Sequence, residues 1–62
     1  MKRVVFKDGP VAGAVTRVGD NVIGIRDERS RTWYRPQAVP ESTRVQEKSR
    51  MVRAEVWANT KH

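Results

Sequence analysis

The sequence has no cysteine and a single histidine, which is the last residue, His62. The absence of cysteine excludes disulfide bonds and thiolate–metal sites. One histidine at a chain end, where fraying is expected, cannot build a Ser-His-Asp or Cys-His arrangement on a rigid element. We therefore expect a non-catalytic protein without a cofactor.

Long apolar runs are also missing. No stretch approaches the ~20 apolar residues that a membrane span needs. The apolar run Val4-Val5-Phe6 is much shorter than the roughly 7–15 residues of a signal-peptide core. We expect no membrane partner and a cytoplasmic location, to which the lack of cysteine is suited.

Two further candidate sites lack the residues that their chemistry needs. The spacing Gly9-x-x-x-Gly13 is not followed by the Gly-Lys-Ser/Thr of a P-loop, so these glycines are predicted to serve turns or strands. Asp27-Glu28 could recruit a divalent cation, but Arg26 and Arg29 beside it favour a solvated turn. We expect no metal site.

What the chain does contain is a small apolar fraction and an excess of positive charge. Its 62 residues are 37% hydrophobic, which suits one thin-cored domain over residues 1–62. A thin core without covalent staples also makes a homodimer plausible. Thirteen Lys and Arg against seven Asp and Glu give a net charge of +6. That charge indicates an anionic partner, most often nucleic acid, or else a solubilising surface.

The first half of the chain favours strands and hairpins. Lys2–Phe6 reads as a strand and Lys7–Pro10 as a turn. Two β-rich runs, Val11–Val18 and Val22–Arg26, flank Gly19-Asp20-Asn21, so we predict that they pair as a hairpin. Either two-residue turn places one set of residues on a common face: Ala14, Thr16, Val18, Ile23 and Ile25.

A second hairpin is predicted around the polar residues 27–30. If Arg26 pairs with Arg31, Gly24 lies opposite Trp33, and the ring covers backbone that the glycine leaves bare. In that register Ile25 lies opposite Thr32, and Ile23 lies opposite Tyr34. Pro36 limits pairing beyond this point.

The second half of the chain is less defined. We predict a loop over residues 37–49. Alternation over Val52–Ala58 favours a closing strand. The alternative is a helix over residues 43–58, with Thr43 as its cap and Gln46 completing a capping box. The predicted fold is thus mainly β, with four or five short antiparallel strands in an SH3-like barrel or a curled sheet. The alternative is an α+β fold with this C-terminal helix.

The runs "VVFKDGPVAGAV", "WYRP" and "AEVWA" resemble those of small proteins common in tailed phages of actinobacteria. Those proteins tend to carry an early Gly-Pro-x-x-Gly turn, a tyrosine midway and a closing β-strand. The matching positions are Gly9, Pro10, Gly13, Tyr34 and Glu55-Val56-Trp57; the family's double glycine stands here as Asp8-Gly9. The resemblance implies a phage origin, hence a host-cell location, and a compact β fold; it implies no established activity. The succession of predicted hairpins over residues 13–39 also resembles that of a small SH3-like or KOW-type barrel.

One constellation suggests a binding site. If Ile23, Ile25 and Tyr34 face inward, the opposite face of the sheet carries an exposed indole among arginines: Arg17, Arg26, Arg31, Trp33 and Arg35. Such a face suits nucleic acid, because arginines neutralise phosphates and an indole stacks on an unpaired base. The competing interpretation buries this face, with Val11, Val15 and Val22 packed around Trp33.

The leading hypothesis is therefore an accessory protein that binds nucleic acid, DNA or RNA. A second hypothesis is a module that docks on a host protein through Trp33, Arg53 and Trp57, because tryptophan and arginine are typical hot-spot residues. A third is a minor virion component whose basic surface contacts acidic capsid or packaged DNA.

Overall fold

Six strands and no helix make up the part of the chain described by the computed structural model, residues 1–60. The strands are β1 (Lys2–Phe6), β2 (Val15–Val18), β3 (Ile25–Asp27), β4 (Thr32–Pro36), β5 (Ser42–Glu47) and β6 (Arg50–Thr60). The mainly β fold is confirmed. The predicted loop over 37–49 is wrong where β5 forms, and the alternative helix over 43–58 is wrong because β5 and β6 occupy that stretch. His62 lies outside the described residues.

The eleven-residue strand β6 organises the sheet. It pairs antiparallel with β5 over residues 50–55, parallel with β1 over 55–57, and antiparallel with β4 over 57–60. Glu55 pairs with both Ser42 and Val4, and Trp57 pairs with both Phe6 and Pro36. It follows that β5 and β4 lie along one edge of β6 and β1 along the other. The order β2-β1-β6-β4-β3 gives a curled half-barrel, and its parallel β1–β6 pair departs from the antiparallel arrangement predicted.

The predicted hairpin of Val11–Val18 with Val22–Arg26 is wrong. Strand β2 pairs instead with β1, and β3 lies at the other end of the strand order. The loop between β1 and β2 favours the pairing of β2 with β1, because Gly9 and Gly13 both adopt positive φ there (79° and 85°). Glycine tolerates such angles at little cost. The Gly13 N–H then donates to the Phe6 carbonyl at 2.8 Å, closing the β1–β2 hairpin.

The predicted hairpin of β3 and β4 exists, with its register shifted by two residues. Arg26 pairs with Trp33, and Ile25 pairs with Tyr34. Because strand side chains alternate with a period of two, this shift leaves Ile25, Arg26, Trp33 and Tyr34 on their predicted faces. The neighbour of Gly24 is Arg35, whose Cγ would lie 3.5 Å from a Cβ at that position, and not Trp33 as predicted.

The main cluster of buried side chains lies on one face of the sheet, here called the inner face, and consists of Val4, Phe6, Val18, Tyr34 and Trp57. Ala54 and Val56, which alternate with Trp57 along β6, are buried as well. The Phe6 and Tyr34 rings pack with centroids 4.4 Å apart. Burial of such side chains stabilises a fold by roughly 1.5–3 kcal/mol each, so a few of them dominate the stability of a small domain.

Tyr34 also ties the first loop to the core. Its hydroxyl donates to the Asp8 carbonyl at 2.9 Å, and its Oη lies where a side chain at Gly9 would begin. The Asp8 carboxylate accepts a hydrogen bond from the Asn59 N–H at 2.8 Å. The loop is therefore bound to both β4 and β6.

We predict that Gly9→Ala destabilises the protein more than Gly13→Ala does. Both changes put a side chain at positive φ, which costs about 1 kcal/mol or more. Only the Cβ at position 9 would also overlap Tyr34, since no atom lies within 4 Å of a Cβ at position 13. Urea denaturation of the two variants measures the difference. Equal losses would contradict the prediction, because they would mean that Tyr34 accommodates the added methyl group without cost.

Candidate nucleic-acid interface

The outer face of the sheet, opposite the core, carries Trp33 between two arginines. Arg26 is the cross-strand partner of Trp33, and Arg35 lies two residues along the same strand. The Arg35 guanidinium carbon is 5.6 Å from the centroid of the indole. Trp33 is half-buried, and both arginines are exposed. We call these three residues the Trp33 platform.

The orientation of the platform follows from its buried neighbours. Tyr34 is fully buried on the inner face and Ile25 packs against that core, so the residues adjacent to them in sequence point outward. The competing interpretation, in which the Trp33 face is the buried one, is wrong: Val15 is 45% exposed, and Trp33 is not among the core residues. The expectation that Ile23 faces inward is also wrong, because its side chain is 79% exposed.

A shallow depression adjoins the indole. It is lined by Val22, Ile23, Gly24, Trp33 and Arg35. The loop before β3 thus supplies apolar side chains beside an aromatic ring and a guanidinium. This combination suits a flat aromatic ligand, because a ring can stack on the indole while the arginine holds an anionic group.

The other two arginines predicted for this site are placed differently. Arg31 lies in the β3–β4 turn with φ at 55° and is exposed, so it borders the platform at the hairpin end. Arg17 lies on β2, three strand positions from β4 in the sheet order. At about 4.8 Å per strand this is roughly 14 Å from the platform. The structure therefore brings together Arg26, Trp33 and Arg35, with Arg31 near them, and leaves Arg17 apart.

Arg17 is engaged by an acidic residue. Glu47, near the tip of the β5–β6 hairpin, accepts hydrogen bonds from Arg3 Nε and Nη2 at 2.6 and 2.7 Å and from Arg17 Nη2 at 2.6 Å. Arg3 and Arg17 are cross-strand partners on β1 and β2. Sequence reasoning missed this arrangement, since Glu47 is 44 and 30 positions from its partners.

The hydrogen bonds from Arg3 are the main cause of a lowered pKa at Glu47. They stabilise the carboxylate, Arg17 adds to the effect, and the pKa falls from 4.5 to about 2. Partial desolvation acts in the opposite direction. Glu47 is therefore ionised at any ordinary pH and screens two arginines that would otherwise repel each other.

The lysines and arginines of residues 1–60 fall into two groups, those that pair with a carboxylate and those that do not. Lys2, Arg3, Lys7 and Arg17 each pair with a carboxylate. The other arginines and lysines of residues 1–60 make no ion pair with another described residue, and they lie on two hairpins: Arg26, Arg29, Arg31 and Arg35 on β3–β4, and Arg44, Lys48, Arg50 and Arg53 on β5–β6. The positive charge is thus concentrated by folding, although it is spread along the sequence.

The protein-docking site predicted from Trp33, Arg53 and Trp57 is not assembled. Trp57 has no exposed surface, and its indole N–H donates to Glu55 Oε1 at 3.2 Å. Arg53 shares the inner-face side of β6 with Trp57, whereas Trp33 lies on the outer face. A partner could not contact the two tryptophans together.

Comparisons with protein-family models, with curated proteins and with solved structures found no match to this chain. Within residues 1–60 there is no helix that could cross a membrane and no group of three or more His, Cys, Asp or Glu side chains that could hold a metal ion. The site is therefore interpreted from its own geometry.

We predict that Glu47→Gln removes a pH-dependent part of the stability. Because the folded-state pKa of Glu47 is lowered, its contribution is complete above pH 4.5 and is lost as the pH falls towards 2. The urea midpoint of the wild type should therefore fall more steeply across this window than that of the variant. Glu28→Gln, which changes an exposed turn carboxylate, is the control and should keep the wild-type slope. Parallel curves for wild type and Glu47→Gln would refute the prediction.

Proposed function

We propose that this protein is a phage-encoded accessory protein that binds single-stranded nucleic acid without catalysing a reaction. One observation carries the proposal: a half-buried indole on the outer face of the sheet, between two exposed arginines that have no acidic partner among the described residues. The phage origin rests on the resemblance of the Gly9-Pro10-x-x-Gly13 turn, Tyr34 and the closing strand to small tailed-phage proteins.

The platform would act through stacking and charge. An unpaired base stacks on Trp33 and fills the depression beside Ile23, while Arg26 and Arg35 contact the flanking phosphates. Arg31, which is exposed at the turn, would contact a phosphate further along the strand. Arg17 has no part in this mechanism, because it lies away from Trp33 and its guanidinium already binds Glu47.

Single strands are favoured over duplexes because stacking needs an accessible base face. In a duplex each base is already stacked, so the indole has no free base face, and the arginines would contact mainly phosphates. The mechanism uses the base plane and the phosphates, which DNA and RNA share.

Docking on a host protein is less well supported, because it relied on two tryptophans acting together. With Trp57 buried, only Trp33 could serve as an aromatic anchor. The unpaired arginines around Trp33 favour an anionic partner.

We predict that a short single strand shifts the Trp33 indole N–H resonance much more than that of Trp57. Trp57 serves as an internal control, because it is buried and its N–H is bound to Glu55. The shifts should weaken as salt is raised, since phosphate contacts release counterions. NMR titration at low and moderate salt with a single strand and a duplex measures both effects. An unmoved Trp33 resonance at low salt would contradict the proposal.

We further predict that Trp33→Ala weakens single-strand binding by about 1–3 kcal/mol, or roughly 5- to 150-fold, and duplex binding much less. Arg35→Gln should reduce by about 0.7 the steepness with which log K for single-strand binding falls against log salt concentration. Arg17→Gln removes the same charge from the same face but should leave affinity nearly unchanged. Fluorescence anisotropy with labelled strands measures all three. Equal losses for Arg17→Gln and Arg35→Gln would mean that net charge, and not the platform, drives binding.

A further inference from the structure

Two arginines lie directly opposite each other in the β5–β6 hairpin. Arg44 on β5 pairs in register with Arg53 on β6, and both side chains are exposed. Opposed side chains on paired strands have Cβ atoms about 4.5–5.5 Å apart, and like charges in this position are destabilising. The pair therefore has a cost that its own hairpin does not relieve.

A second pair of opposed arginines in this protein shows how the repulsion between them can be relieved. Arg3 and Arg17 are also cross-strand partners, and the Glu47 carboxylate lies between them with three hydrogen bonds of 2.6–2.7 Å. One oxyanion is thus enough to bind two opposed guanidinium groups in this fold. Arg44 and Arg53 repeat the arrangement without a carboxylate partner among the described residues.

The acidic residue of the adjacent cross-strand pair, Ser42 and Glu55, is already engaged. Glu55, two residues from Arg53 on the same side of β6, lies 3.3 Å from Lys2 Nζ and accepts the Trp57 indole N–H. The cross-strand pair on the other side of the arginines is Gln46 and Met51, which carries no charge. Arg53 also lines a groove of about 540 Å³ whose wall includes Lys2 and Ser42 and two carboxylates, Glu41 and Glu55. Each carboxylate is paired with a lysine, Glu55 with Lys2 and Glu41 with Lys7, so neither is paired with Arg44 or Arg53.

We propose that Arg44 and Arg53 form an oxyanion site that binds a phosphate group, held between two guanidinium groups as Glu47 is held between Arg3 and Arg17. Guanidinium groups pair bidentately with phosphate, and a tetrahedral phosphate presents oxygens to both partners at once. The ligand is a phosphate monoester, free phosphate, or a phosphodiester of a nucleic-acid backbone. The site lies on the opposite face of the sheet from Trp33 and does not depend on the proposed function.

The test follows the arginine side-chain N–H resonances during titration with inorganic phosphate, at an ionic strength held constant with chloride. We expect Arg44 and Arg53 to shift together and to saturate. Arg44→Gln should weaken phosphate binding by about tenfold or more. Arg50→Gln, which removes the same charge from the same hairpin but at a position opposite Glu47, should weaken it less than about twofold. Equal effects of the two substitutions, or no saturable shift, would overturn the proposal.

A second arm distinguishes the source of the phosphate. A short abasic strand presents phosphodiesters without bases, so it can engage the arginine pair but cannot stack on Trp33. Shifts of Arg44 and Arg53 with this strand support a backbone phosphodiester, and shifts with inorganic phosphate alone support a free phosphate or a monoester. If neither probe shifts the pair, the site does not exist. A response of this pair together with an unmoved Trp33 resonance in base-containing strands would leave the site standing and remove the proposed function.

Thermal melting gives an independent readout. In phosphate-free buffer of low ionic strength, Arg44→Gln should melt above the wild type because it removes the opposed charge, and Arg50→Gln should not. Added phosphate should raise the melting temperature of the wild type more than that of Arg44→Gln. Equal increases in the two proteins would overturn the proposal.

Discussion

The backbone hydrogen bonds of β6 are the constraint on which the other strands depend. This strand exchanges partners along one edge, from β5 to β4, at Val56. There its N–H donates to the Glu41 carbonyl at 2.9 Å, and its carbonyl accepts from Gln37 Nε2 at 3.2 Å. Because buried backbone groups must find partners, the segment between β4 and β5 has to return to β6 at this point. That return holds β4, and with it Trp33 and Tyr34, in register with the core.

The features that the sequence predicts well are those that depend on alternation. The pattern over Val52–Ala58 gave a strand because its period is two, and the faces of Ile25, Trp33 and Tyr34 survived a register error of two residues for the same reason. The grouping of Arg26, Trp33 and Arg35 could therefore be predicted from the local pattern alone. The buried face of the sheet could not be predicted, since valines lie on both sides of several strands.

The features that sequence analysis missed depend on partners far apart in the chain. Turn residues at Gly19-Asp20-Asn21 suggested a hairpin, but β2 pairs with β1, whose Val4 and Phe6 form part of the core. Strand β5 is mostly exposed and polar, so it lacked an apolar signal and owes its conformation to pairing with β6. The contact of Glu47 with Arg3 and Arg17 joins three strands, and no local spacing indicates it.

The placement of charge follows from the small size of the core. A sheet with few buried side chains has little interior volume, and no polar or charged side chain of the described residues is buried, so the charged groups lie at the surface. Arg3 and Arg17 lie side by side on β1 and β2, and Glu47 of the β5–β6 hairpin binds both of them. Arg44 and Arg53 are also cross-strand partners but have no carboxylate partner among the described residues, and like charges in this position are destabilising. The two proposals of anion binding, at the Trp33 platform and at the Arg44–Arg53 pair, rest on this difference between arginines that have a carboxylate partner and arginines that have none among the described residues.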